Sequence, residues 1–309
     1  MTDYVPVIIF CYRRKIDKLI NSLLKNKEAK ETELFIFSDG FKSEIDKKDV
    51  INIRESLKKI SGFKLVHIVE SDKNKGLANS IIEGTTKVIN KFGKTIVLED
   101  DLIVSSHFLD YMNKSLSLYQ NKKKIWSISG YSPAIPQFDN YKKEVYLSLR
   151  SSSWGWATWV DRWKKVDWSI DDFKVLKKNK EKIKSFEQGG NDLFKMLELQ
   201  YLGKIDSWAI RWCYSQFKNS SYSVTPKISM IQNNGFSDGV GVHNFSKGYC
   251  WQVKLAETKI NDLEAQFNIE ISNHFKKYHD ISFYTRIGYF LRKWGGYNFI
   301  KSLTVSHFD

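Results

Sequence analysis

The sequence predicts an α/β fold with a mainly parallel central sheet flanked by helices. Three observations lead there. Short apolar runs recur through the first half, at 5–10 (VPVIIF), 34–37 (LFIF), 65–69 (LVHIV), 95–98 (TIVL) and 125–129 (IWSIS). Most are rich in β-branched or aromatic residues with little polar alternation, the pattern of strands buried on both faces. Amphipathic segments separate them: Ile16, Leu19, Ile20, Leu23 and Leu24 fall on one helical face, and further helices are expected over roughly 44–60 and 76–91. Strands alternating with helices at this rhythm build βαβ units. Polar residues then gather directly after the strands, at Tyr12 and Arg13, Asp39, Asp72 to Asn79, and Glu99 to Asp101. Sheets of this kind bind ligands at the carboxyl ends of their strands.

The chain has 309 residues, enough for one large domain with a smaller annex. The expected division is a main domain over 1–250 and a C-terminal helical segment over 251–309. Within the main domain, 1–130 carries the strand-helix alternation. Residues 131–250 form the second part, rich in Trp, Ser, Asn and Gly from 146 on, and no Pro-rich linker intervenes. The net charge of +14 calls for an anionic partner. The lysines are scattered and no nucleic-acid-binding signature is present, so nucleic acid is not expected. Cys11, Cys213 and Cys250 are far apart and odd in number, which argues against a disulfide framework and against a zinc site. The N-terminus lacks the basic and apolar regions of a signal peptide. No run approaches the roughly 20 apolar residues of a membrane span. The expected location is therefore cytoplasmic. The stretch from Phe283 to Leu303 mixes aromatics with Arg286, Arg292, Lys293 and Lys301. It suits either an anionic membrane surface, as a peripheral contact at the inner face, or a helix packed on the main domain.

Glu99-Asp100-Asp101 ends an apolar strand with concentrated negative charge. Like charges this close repel, and a bound cation removes that cost. Mg2+ or Mn2+ takes oxygen ligands, often one or two carboxylates plus substrate phosphates. The competing account is an acidic helix N-terminus. Asp39 either contacts a ligand or forms an Asp-Gly turn. Arg13 and Arg14 open the first helix, where arginine and backbone N–H groups attract phosphate. Asn74 lies in a turn suited to close ligand approach, although not in a phosphate loop, since GxxxxGK[ST] is absent. Trp154, Trp156, Trp159 and Trp163 crowd one segment; the last three have helical spacing and could share one face, and the expectation is a mixture, some Trp buried in a core helix and some lining a sugar pocket. Asp206 precedes Trp208, where flanking aromatics could bury a carboxylate partly and tune it as a general base; helix capping by Asp206 or Ser207 is the alternative. Residues 233–243 hold Gly235, Gly239 and Gly241, the composition of a mobile loop or a lid. His243 in that loop is a candidate contact to metal or phosphate.

Taken in order, PVIIFCYRR, LFIFSDG, NKGLANSI, IVLEDDL, WGWATWVDRW, DSWAIRW and PKISMIQNNGFSDGVGVHN resemble the GT-A (Rossmann-like) fold glycosyltransferases. The resemblance is to the bacterial polysaccharide (O-antigen and capsule) sugar transferases related to N-acetylglucosaminyltransferase I. It runs from about residue 5 to about residue 245. It implies an inverting transfer from a nucleotide sugar, UDP-linked, to a glycan acceptor that is plausibly lipid-linked. It implies Mn2+ (or Mg2+) on Asp101, with Asp100 and Glu99 near the ribose and donor sugar. Arg13 and Asp39 are then nucleotide contacts, Asp206 the catalytic base, and the segment from Asn233 the loop that closes over the donor. The sequence departs from related chains at Ala209, where an acid often follows the Trp, and that puts the base assignment in question. Two other functions compete: a sugar-nucleotide nucleotidyltransferase, whose Gly-rich signature loop after strand one is absent, and a non-catalytic carbohydrate- or nucleic-acid-binding module.

Overall fold

A computed structural model describes residues 4–135, 138, 141–235 and 253–280. The first half delivers the expected alternation: β1 Val7–Cys11, α1 Asp17–Leu23, β2 Glu33–Ser38, α2 Glu44–Leu57, β3 Leu65–Glu70, α3 Leu77–Phe92 and β4 Lys94–Glu99. Each strand lies within a residue or two of its apolar run. Strand β1 shows why such runs are continuous. Val7, Ile9 and Cys11 enter the core beneath α1, while Ile8 and Phe10 enter the core beneath α3. A strand sandwiched between two helical layers has no solvent face to spend on polar residues.

Beyond β4 come β5 Leu102–Val104, α4 Phe108–Tyr119, β6 Ile125–Ser129, β7 Val145–Ser148, β8 Trp156–Trp159 and α5 Val160–Trp163. They are followed by α6 Phe173–Lys178, α7 Lys180–Phe186, α8 Leu193–Tyr201, α9 Trp208–Lys218, β9 Tyr222–Pro226, β10 Ile231–Asn233 and α10 Ile269–His279. Eight strands form one sheet in the order β3-β2-β1-β4-β8-β6-β9-β7, and β10 pairs with β5 in a small ribbon. Strands β1 to β4, β6 and β9 run one way; β8 and β7 run against them. The α/β class with a mostly parallel sheet is thus the observed one.

One sequence expectation is overturned here. Trp156 and Trp159 lie on strand β8, not on a helix with Trp163. Three residues apart on a strand, they point to opposite faces. Trp159 donates its indole N–H to the Leu116 carbonyl beneath α4 at 3.1 Å. Trp156 packs with Trp163, Trp208 and Trp212 on the other face, ring centroids 5.2–5.6 Å apart. Edge-to-edge pairing with β4 and β6 settles the strand, because a half-apolar Trp-rich segment fits a doubly covered sheet better than a short helix. Arg162 is buried beside it and donates to the carbonyls of Tyr119, Gln120, Lys122 and Ile125, closing the loop before β6. Trp156, Trp159 and Trp163 therefore belong to the buried part of the expected mixture.

Residues 253–280 return across the sheet. Ala256 exchanges bonds with Ser229 and Ser105, Tyr119 donates to the Leu263 carbonyl, and α10 lays Ile271 and Phe275 against Tyr146 of β7. No helix among the described residues is long and apolar enough to cross a membrane. His243, the glycines at 239 and 241, and the basic aromatic stretch beyond 280 lie outside the described residues.

Candidate active site

The sheet order places a topological switch point between β1 and β4. From β1 the chain proceeds outward through β2 and β3, then crosses back to add β4 on β1's other side. The loops after β1 and β4 therefore diverge and leave a crevice at the carboxyl edge. Residues from both loops meet there. Arg14, just past β1, places Nη1 3.0 Å from Asp100 Oδ1 and 3.6 Å from Asp101 Oδ2. The backbone N–H of Tyr12 donates to Asp100 Oδ2 at 3.3 Å. From the far end of the chain, the Asn233 amide donates to Asp101 Oδ2 at 3.1 Å, and the Asn234 N–H donates to the Asp101 carbonyl at 2.8 Å. Gly235 completes this wall. A Cβ there would stand 2.5 Å from Asp101 Oδ2, so only glycine leaves that oxygen its space.

Glu99 sits one residue deeper, at the end of β4. Burial pushes its carboxyl well above the usual range, and the negative charges of Asp101 and Asp100 push it further; Arg14 acts the other way. Cys11, at the end of β1, is likewise buried, and its thiol is pushed up to about 12 by burial and by Asp100. It is an inert wall rather than a nucleophile.

Asp39, at the neighbouring strand end, is built differently. Its carboxylate accepts the backbone N–H of Lys75 at 2.9 Å and of Gly76 at 3.0 Å, as well as that of Gly40. It thereby caps the turn that launches α3. Asn74 donates to the Gly40 carbonyl at 2.8 Å, and Gly40 fits only because a Cβ would meet the Lys73 carbonyl carbon at 2.5 Å. Arg54 from α2 donates to the carbonyls of Ser38, Asp39 and Ser71 and pairs with Glu70 at 3.3 Å. Tyr12 links this edge to the first: its hydroxyl donates to Asp46, the acid of the capping box that starts α2. Asp39 and Asn74 thus brace the crevice wall.

Arg13 is exposed at the rim and Arg14 reaches the acids. The RR pair marks the place in the sequence but not which arginine turns inward, because a loop has no periodicity to assign faces.

Next to the acids, β8 runs antiparallel to β4 with Trp156 opposite Val97. A Cβ on Gly155 would lie 3.2 Å from Leu98, so Trp154 emerges at the same sheet end as Glu99. Trp154 and Tyr131, edge to face at 4.6 Å, line a cavity of about 200 Å³ together with Ser129, Ser151, Ser152 and Ser153. Ala209 and Ile210 from the first turn of α9 and Phe275 and His279 from α10 complete it. Burial, with Arg150 nearby, drives the His279 imidazole down to about 3, so it is neutral at physiological pH. Arg150 is held in a two-bond pair with Asp192 at 2.7 and 2.9 Å.

Asp206 precedes α9. Ser207 is the N-cap of α9, accepting from the Ile210 N–H at 3.3 Å. The partial burial expected to tune Asp206 is not observed: its side chain is 60% exposed and pairs with Arg211 at 2.9 Å.

The donor set suits a hard divalent cation. Among the described residues, no group of three or more His, Cys, Asp or Glu side chains is arranged to enclose a metal ion. Asp101 and Asp100 offer carboxylate oxygens, the ligand type that Mg2+ and Mn2+ take, often with substrate phosphates completing the set.

No protein-family model and no curated protein matches the chain. Solved structures similar to it include the apo structure of the bifunctional glycosyltransferase WbbM, at 15% identity over 34% of this chain and 20% of that one, with a TM-score of 0.22. They also include a UDP-glucose pyrophosphorylase complexed with UDP-glucose, at 13% identity over 72% of this chain and 90% of that one, with a TM-score of 0.37. Neither likeness bears on the chemistry of the site.

Proposed function

We propose that the chain is an inverting, metal-dependent glycosyltransferase that moves a sugar from a nucleotide-sugar donor, UDP-linked, to a glycan hydroxyl in bacterial surface polysaccharide synthesis. The observation that carries this reading is the convergence of Arg14, Asp100 and Asp101 at the β1/β4 switch point. At the same end of the sheet, a cavity of about 200 Å³ is lined by Trp154, Tyr131 and four serines, the mixed apolar and polar lining of a small-ligand pocket.

A divalent ion bound by Asp101, with Asp100 beside it, supplies charge neutralisation for a leaving diphosphate. The chain's own residues do the rest. Arg13, exposed at the rim, attracts phosphate. Asp39 and Asn74 hold the nucleotide side of the crevice in shape through the backbone bonds described above. Glu99 faces the donor sugar. Trp154 offers an indole face and the serines offer hydroxyls to the acceptor, a lipid-linked glycan at the membrane's inner face. Asp206, at the head of the helix whose first turn lines the cavity, takes the proton from the attacking hydroxyl. Its carboxylate is exposed and holds Arg211 at 2.9 Å, an ion pair that a substrate hydroxyl would have to share.

A donor screen tests the reading. UDP-, GDP-, dTDP- and CMP-sugars are each added with Mn2+, recording thermal stabilisation and slow donor hydrolysis. Stabilisation by one nucleotide class that vanishes in Asp101→Ala, with nucleoside diphosphate as the released product, is the expected result. Release of nucleoside triphosphate in the presence of pyrophosphate would instead identify a sugar-nucleotide nucleotidyltransferase. No response to any nucleotide would leave only a carbohydrate-binding module.

A further inference from the structure

We infer that Arg14 is the resident counter-ion of the aspartate pair and that a divalent cation must compete with it. This rests on the proposed metal site. It concerns a residue that the sequence resemblance assigns no role.

The guanidinium stands within 3.0 Å of Asp100 Oδ1 and 3.6 Å of Asp101 Oδ2, and one nitrogen, Nη1, makes both approaches. All three side chains are largely shielded, at 15–21% exposure. In such surroundings a unit charge at these distances interacts far more strongly than it does in water. A divalent cation entering the site meets a fixed positive charge within contact distance of its own ligands. The repulsion falls on the cation alone. A nucleoside diphosphate brings two phosphates, to which a planar guanidinium binds well. Arg14 then has an anion of its own, and its grip on the aspartates weakens as the cation arrives. The arrangement therefore predicts ordered loading: weak cation binding to the free protein, strong binding with nucleotide present.

The test is Mn2+ binding followed by the loss of its free electron paramagnetic resonance signal, with no turnover involved. Wild type, Arg14→Met and Arg14→Gln are each titrated with and without UDP. The neutral variants are expected to bind Mn2+ alone at least tenfold more tightly than wild type, and UDP is expected to tighten wild type more than it tightens either variant. Arg14→Gln keeps a hydrogen-bond donor for Asp100, so it serves if Arg14→Met fails to fold. Equal or weaker Mn2+ binding in a folded neutral variant overturns the inference while leaving the metal site intact. Absence of Mn2+ binding in wild type and variants, with UDP present, overturns the metal site itself.

Discussion

Two carboxylate edges lie side by side on this sheet, and they are held by different kinds of partner. At the end of β2, Asp39 is buried and receives three backbone N–H groups, while Arg54 ties the adjoining carbonyls of β2 and β3 together. At the end of β4, the Asp100 and Asp101 carboxylates receive side-chain donors, Arg14 and Asn233, as well as the Tyr12 N–H, and are partly open to solvent. Backbone donors cannot leave without unfolding the turn they belong to. Side-chain donors can turn away when a better partner comes. The first edge is therefore expected to act as a brace and the second to exchange partners, although both read in sequence as acids ending an apolar strand.

Substitutions at the two edges should separate accordingly. The largest effect is expected from Asp101→Asn, which keeps the volume and removes the charge. Transfer should fall on the order of 10³-fold, since the charge stabilisation at stake is several kcal/mol, while the denaturation midpoint stays near that of wild type. Asp39→Ala should do the reverse. The partly buried N–H groups of Lys75 and Gly76 lose their acceptor, and unfolding free energy should drop by about 1–2 kcal/mol in denaturant titrations. A comparable activity loss at constant stability would make Asp39 a ligand contact and collapse the contrast.

Gly235→Ala probes the exchangeable edge from its other wall. The added methyl must displace Asp101 or the 233–235 segment, and Mn2+ affinity in the presence of UDP should weaken about tenfold, as when a ligand's supporting contact is lost. The smallest effect concerns Glu99. Its folded-state carboxyl titrates well above the reference value of 4.5, so ionisation is disfavoured by folding. Below that reference value the group is protonated in both states and makes no pH-dependent difference. As pH rises past it, the unfolded chain ionises first and stability is lost. Glu99→Gln should consequently raise the melting temperature of the cation-free protein at neutral pH, and the gain should shrink to nothing as pH falls below about 4.5. A constant gain at all pH values would mean packing rather than charge.

The first half was legible because its physics is local. Continuous apolar runs such as VIIFC and TIVL, alternating with amphipathic helices, fit strands covered on both sides, and the polar residues that follow them fall at the sheet's carboxyl edge. What escaped was decided at long range. Arg14 rather than Arg13 reaches the acids, an outcome fixed by loop geometry between β1 and α1. Asn233 and Gly235 touch Asp101 across more than 130 positions, and no spacing rule connects them. Trp156 and Trp159 carry helical spacing, yet they became a strand because β4 and β6 stood open on either side of it. Trp154 alone of that segment lines the cavity, since Gly155, with φ at +60°, turns the chain out of the sheet just before β8.

Everything proposed for the site depends on Asp101 serving a nucleotide-sugar transfer through a divalent cation. The most direct measurement is nucleoside diphosphate release from the preferred donor, compared between wild type and Asp101→Asn, in Mn2+ and in EDTA. The account predicts release by wild type in Mn2+ only, with EDTA and the substitution each abolishing it. Undiminished release in EDTA, or by the folded Asp101→Asn protein, would contradict it.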